Sequence, residues 1–233
     1  MSIRIVLLIV LFAGCSQHRH EAENRHSEAG QQNPAALPLA STSPVRGDLY
    51  YFDDCPVCRR LLGTQGDPVT HVADGRQIRF CKSNCASAFT AAFSANLEAL
   101  DQRMSKDQAM WYPITTSVVS GLPLSQSPLD FVWGNRLIRV NGAEEKATFL
   151  RQPEKYFNVL THEAILARWQ KYPVTKCPVQ GRALGDSFDE ELAVVIGYRI
   201  VRVCCDDCAR LVREHPNHYL PIIDLANRMG NVK

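Results

Sequence analysis

A cassette of about sixty residues recurs three times in this chain, and a repeat of that length restricts the fold to a tandem array of small, similar units. Its lead positions are Cys55, Ser117 and Cys177. Tyr112-Pro-Ile-Thr-Thr-Ser117-Val-Val-Ser120-Gly121 aligns without a gap on Tyr172-Pro-Val-Thr-Lys-Cys177-Pro-Val-Gln180-Gly181, and Tyr51-Phe-Asp-Asp-Cys55-Pro-Val-Cys58 is a more distant first version. Copy one continues to Phe80-Cys81-Lys-Ser-Asn-Cys85, and copy three to Val203-Cys204-Cys205-Asp-Asp-Cys208. The middle copy keeps the frame without sulfur, with Ser117, Ser120, Asn141 and Glu145 at the corresponding positions. It is an internal control that separates what the scaffold needs from what the sulfur chemistry needs.

Between these landmarks each copy shows two short alternating runs around a glycine turn. Val69–Val72 and Gln77–Phe80 flank Asp74-Gly75, Asp130–Trp133 and Arg136–Val140 flank Gly134-Asn135, and Leu192–Ile196 and Tyr198–Val203 flank Gly197. Period-two alternation around residues that accept positive φ predicts a β-hairpin. A helical spacing follows. Phe89, Phe93 and Leu97 share one face, and Phe149 and Val212 take the place of Phe89 in the later copies. Pro153 and Pro216 then read as stops, and Leu97–Met110 and Thr161–Lys171 as connecting helices, with Thr161 a candidate N-cap. The expected fold is α+β, with each unit a knuckle, a hairpin and a helix.

A Cys-x-x-Cys turn puts two sulfurs on one tight loop, and a pair at the strand–helix junction can face it. The hairpin would then gather Cys55, Cys58, Cys81 and Cys85 at one vertex. Four thiolates suit Zn(II), the default ion, and soft thiolates also suit Cu(I) or another soft metal. Units this small bury little core, so a metal or crosslink stabilises them appreciably; structural zinc contributes roughly 10–16 kcal/mol in finger peptides. Copy three offers Cys177, Cys204, Cys205 and Cys208, with Gln180 in place of the second knuckle cysteine. Only one of the adjacent Cys204 and Cys205 is expected to join Cys177 and Cys208 fully. The site is then three-coordinate, or completed by water, His215 or His218, and an open site suits exchange or sensing. Asp206 and Asp207 read as helix-start residues facing the macrodipole. Copy two should hold no metal. Its core falls to Trp133, Leu137, Ile138, Phe149, Tyr156 and Phe157, with Trp111 and Trp169 between units.

The N-terminus is a different kind of segment. Arg4 precedes an apolar run, Ile5–Ala13, and then Gly14 and Cys15. This is the pattern of a secretory signal and resembles a bacterial lipoprotein signal, which implies lipidation at Cys15, export and a membrane tether. Ser16 in the next position leans towards the outer membrane; either way the protein would be anchored in the cell envelope, at the outer membrane or on its periplasmic face. At 1.5 Å per residue the apolar run is too short to cross a hydrocarbon core of about 30 Å. Residues 16–47 are polar and aperiodic, as expected of a flexible tether, and His18, His20 and His26 read as solvated. The expected organisation is therefore signal 1–14, linker 15–47, metal-binding repeat 48–107, degenerate repeat 108–168 and metal-binding repeat 169–233. A formal charge of +2 over 233 residues, with no basic block, argues against a nucleic-acid partner.

The Cys-Pro-Val start, Gly-Arg-x-Ile-Arg-Phe-Cys, the Cys-x-x-x-Cys and the Pro-x-x-Tyr tail together resemble the YHS and TRASH-like heavy-metal-binding modules. The resemblance runs from about Tyr50 to Leu220 and implies tandem treble-clef or zinc-ribbon-like units. It also implies a role in metal trafficking, sequestration or sensing rather than catalysis, with an envelope protein as an open partner. Two other readings stand beside it. Eight cysteines remain after Cys15, an even number in an exported chain, so disulfides such as Cys55–Cys81 or Cys177–Cys208 would give a stapled structural or adaptor lipoprotein. A thiol–disulfide oxidoreductase would use Cys55-Pro-Val-Cys58, but that motif is followed by a hairpin instead of a βαβ unit, and no other catalytic motif is present.

Overall fold

The structure is a computed structural model, and it describes residues 45–185 and 192–230. Cys15, the apolar leader and His18, His20 and His26 lie outside the described residues.

Three antiparallel hairpins run along the chain, each followed by a short and then a long helix. The first set is β1 (Val69–Ala73), β2 (Arg76–Phe80), α1 (Ser83–Ala91) and α2 (Phe93–Ala109). The second is β3 (Leu129–Trp133), β4 (Arg136–Val140), α3 (Ala143–Arg151) and α4 (Pro153–Arg168). The third is β5 (Leu192–Ile196), β6 (Arg199–Val203), α5 (Asp206–Glu214) and α6 (Pro216–Gly230). Each hairpin is a separate two-stranded sheet. The registers Ala73↔Arg76, Trp133↔Arg136 and Ile196↔Arg199 leave two-residue turns. Both residues of every turn have positive φ: Asp74 and Gly75, Gly134 and Asn135, Gly197 and Tyr198. That is the type I′ geometry whose twist matches paired strands.

Three expectations need correction. Tyr198 belongs to the turn, not to the second strand. An aromatic residue at φ 68 is unfavourable by itself, and here it is fully buried, donates to Leu137 O and packs edge-on against Tyr112. The connecting helices expected at Leu97–Met110 and Thr161–Lys171 start earlier, at Phe93 and Pro153, and copy three has a second helix, α6, that was not expected. Phe89 and Phe93 lie on different helices, because the chain breaks at Ala92, although their rings still meet at 6.0 Å. Pro153 and Pro216 close one helix and also open the next, since a first-turn position needs no N–H. Thr161 is therefore no cap. It sits within α4, where its hydroxyl donates to Phe157 O and accepts from Arg136.

Two cores result. One contains Trp133, Leu137, Ile138, Phe149, Tyr156 and Phe157, as expected for copy two, joined by Val195, Tyr198 and Ile200 from copy three. The other merges copies one and three, and buries Cys55, Cys81, Cys177 and Cys208 among Phe80, Phe89, Val203 and Val212. Long helices link the units: α2 packs on β3 and β4, and α4 on β5 and β6. Trp111 lies partly buried against the copy-two core, and Trp169 is buried with Arg202 over its ring.

A buried polar hub holds the hairpin turns. Each second strand begins with a buried arginine, Arg76, Arg136 or Arg199. Each arginine reaches the long helix that follows it, at Asp101 (2.6 Å), Thr161 (2.6 Å) and Asp224 (2.9 Å). Thr161 carries no charge, so Arg136 takes its carboxylate from Asp48 in a bidentate pair (2.9 and 2.5 Å). Asp48 also accepts from Gly197 N at 2.9 Å. Gln108, fully buried, donates to Asn135 O and accepts from Leu137 N. No described helix is long and apolar enough to cross a membrane.

Candidate metal centres

The knuckle is built by the backbone. Cys55 N donates to Arg60 O and Arg59 N to Cys55 O, closing a turn with Arg59 at φ 64. Copy three repeats it with Cys177 N to Arg182 O and Gly181 N to Cys177 O, and sulfur-free copy two with Ser117 N to Leu122 O and Gly121 N to Ser117 O. The turn therefore does not need sulfur to form. It serves to aim the side chains at its first and fourth positions towards the strand–helix junction.

In copy one that junction supplies Cys81, just past the end of β2, and Cys85, in the first turn of α1. The structure brings Cys55, Cys58, Cys81 and Cys85 together with every sulfur within 4.8 Å of every other. Cys58···Cys81 is 3.3 Å and Cys81···Cys85 is 3.6 Å. Sulfurs tetrahedrally placed about 2.3 Å from one ion would stand about 3.8 Å apart, so the set fits Zn(II) with small adjustments. Cys55 and Cys81 are buried, Cys85 is half-buried and Cys58 is exposed, so the cluster sits at the rim of the core with one side open. Its thiols are electrostatically uneven. The Arg60 N–H and the Cys81 thiol, both directed at Cys58, bring its pKa down to about 7. Burial, reinforced by the neighbouring sulfurs, pushes Cys85 up to about 12.

In copy three Cys177, Cys204 and Cys208 form the equivalent group, again mutually within 4.8 Å. Cys205 Sγ lies 3.4 Å from Cys208 Sγ but outside that group, so of the adjacent pair it is Cys204 that joins. Gln180, in the place of Cys58, has its Oε1 3.6 Å from Cys204 Sγ. Neither His215 nor His218 joins the group; the His218 ring packs on Tyr219. Asp206 and Asp207 open α5, as their acidic character suggested. The eight described cysteines are all free thiols, and their sulfur contacts of 3.3–3.9 Å are far from the bond length of about 2.05 Å in a disulfide.

The chain matches no family model, no curated protein and no solved structure.

What replaces sulfur in copy two was not legible from its residue types. Glu145, in the place of Cys85, accepts from Ser117 Oγ at 2.6 Å and from Asn141 N at 2.8 Å. Asn141, in the place of Cys81, donates to Pro123 O and accepts from Ser125 N. Burial would raise the Glu145 pKa, but hydrogen bonds from Ser117, Ser120 and Asn141 outweigh it and hold the carboxyl below its usual range. A hydrogen-bonded carboxylate ties knuckle to helix where the other copies have sulfur. The chemistry of the donors therefore divides the three sites: two thiol clusters that could hold a metal ion, and one polar clasp.

Proposed function

We propose that this protein binds soft transition-metal ions through cysteine thiolates in copies one and three, for trafficking, sequestration or sensing. Copy two serves as a metal-free spacer. The observation that carries the reading is the convergence of four sulfurs from two segments far apart in sequence, Cys55/Cys58 and Cys81/Cys85, on one point. Zinc(II) is the default ion for the four-sulfur site. The units belong, on this reading, with the treble-clef or zinc-ribbon-like modules that the YHS and TRASH resemblance implies. The lipoprotein-like N-terminus adds export and a lipid anchor at Cys15, with the metal as the main partner and an envelope protein as recipient or donor. No step of this function requires turnover of a substrate.

The disulfide reading keeps one observation in its favour: sulfurs this close are set to couple on oxidation. The two readings part at the level of a single variant. Cys81→Ser should lower the metal content of the purified full chain by one ion, measured by elemental analysis. An unchanged metal count in that variant would show that the first centre is wrongly assigned.

A further inference from the structure

The two thiol clusters differ in a way the repeat makes interpretable. In copy one the four ligand positions are knuckle one and four and junction one and five, and Lys82 follows the first junction cysteine as the residue capping α1. Copy three has lost the sulfur at knuckle four, where Gln180 stands, and has gained one at the Lys82 position, where Cys205 caps α5. Both cap residues hold the same extended backbone, φ −155 at Lys82 and φ −165 at Cys205. The additional sulfur is therefore off the ligand frame, which is why Cys205 stands outside the group formed by Cys177, Cys204 and Cys208.

We propose that the second centre is a three-thiolate site selective for a monovalent soft cation of the Cu(I) class, while the first is a four-thiolate site for a divalent ion of the Zn(II) class. This rests on the reading of both clusters as metal centres. Two observations carry it. The Cys204···Cys208 separation of 3.9 Å falls between the edge of about 3.8 Å for a tetrahedral set and about 4.0 Å for three sulfurs in a plane around one ion, so three sulfurs can close on an ion here without a fourth. The fourth position is filled by an amide oxygen, a hard donor that adds little for a soft ion. A Zn(II) ion there would lack the fourth strong donor that structural zinc sites have, whereas a Cu(I) ion is satisfied by three thiolates. Each loaded centre then carries the same net charge, so the two fit the same repeat scaffold.

The test loads the reduced full chain, without oxygen, with one equivalent of Zn(II) and one of Cu(I). The expected product holds one of each, and X-ray absorption at the copper edge shows three sulfur neighbours and no fourth. Gln180→Cys should move the second centre at least tenfold towards Zn(II) in competition, while Cys205→Ser leaves both the ion count and the three-sulfur copper signature unchanged. With two equivalents of Zn(II) supplied, zinc held at both centres that one equivalent of Cu(I) does not displace would overturn the selectivity and leave the metal-binding function intact. Loss of an ion in Cys205→Ser would overturn the coordination set by making Cys205 a ligand. A chain that stays fully reduced and binds neither ion would overturn the metal reading itself, and this inference with it.

Discussion

At the scale of single residues, a homologous frame can be closed by two kinds of chemistry. Thiols gather in copies one and three, and a carboxylate with two hydroxyls and an amide does the same in copy two. The two respond to acid in different pH ranges. Burial raises the Cys85 thiol to about 12 and the Cys208 thiol further still, so a metal must displace protons on binding. Affinity should fall by roughly tenfold per pH unit for each proton released as the solution is acidified. Glu145 is shifted the other way. A carboxyl whose pKa is depressed by folding adds stability above its ordinary range, and that stability is lost as pH falls through its lower, folded value. Glu145→Gln should therefore cost about 1 kcal/mol at neutral pH, and the difference from the parent should vanish in acid. Denaturant titrations of the two proteins at both pH values check this, and an equal difference at both would contradict it.

At the scale of elements, turns carry the most constraint. The type I′ turns were readable from Asp74-Gly75 and Gly134-Asn135, and so were the strands, the core aromatics of copy two and the cysteine groupings. The rest was hidden for physical reasons. Tyr198 at positive φ is a choice its own backbone disfavours, and only the carbonyl of Leu137 and the ring of Tyr112 explain it. The helix break at Ala92 falls inside a pattern that reads as continuous, because the apolar spacing persists across it, whereas Pro153 marked the break at Gln152. The hub arginines did leave a trace, since an arginine follows every hairpin turn, but an arginine at a strand start reads as solvated until its partners are known. Gly134 shows how tight the turns are. It sits at φ +53, and a Cβ there would lie 2.7 Å from Arg46 O, a backbone atom with little room to move. Gly134→Ala should cost about 1–3 kcal/mol. Gly121, at φ +73 with nothing within 4 Å, should cost only about 1 kcal/mol as alanine. Thermal or chemical melts of the two variants make the comparison, and equal losses would place the strain in the dihedral alone.

At the scale of the whole molecule, the described residues, 45–185 and 192–230, are joined by buried charge as well as by apolar packing. Asp48 pairs with Arg136 of the second hairpin and accepts from Gly197 N of the third, and Arg199 of the third pairs with Asp107 on the long helix of copy one. The Arg136 guanidinium is almost wholly withdrawn from solvent, at 2% side-chain exposure, and also lies over the Phe157 ring. Removing its carboxylate leaves a buried charge uncompensated, so Asp48→Ala should destabilise the protein by about 3–5 kcal/mol. A loss below about 1 kcal/mol in a denaturant titration would mean that the hub is replaceable by water. The same geometry keeps both thiol clusters at the rim of one merged core, so on the metal-binding reading proposed above ion loss and core loosening should be coupled. The most direct measurement is elemental analysis of the full-length protein purified from the cells that produce it, with free thiols counted on the same sample before and after reduction. The account predicts two bound ions per chain and no disulfide among Cys55, Cys58, Cys81, Cys85, Cys177, Cys204, Cys205 and Cys208. No metal, with those eight sulfurs oxidised in pairs, would contradict it.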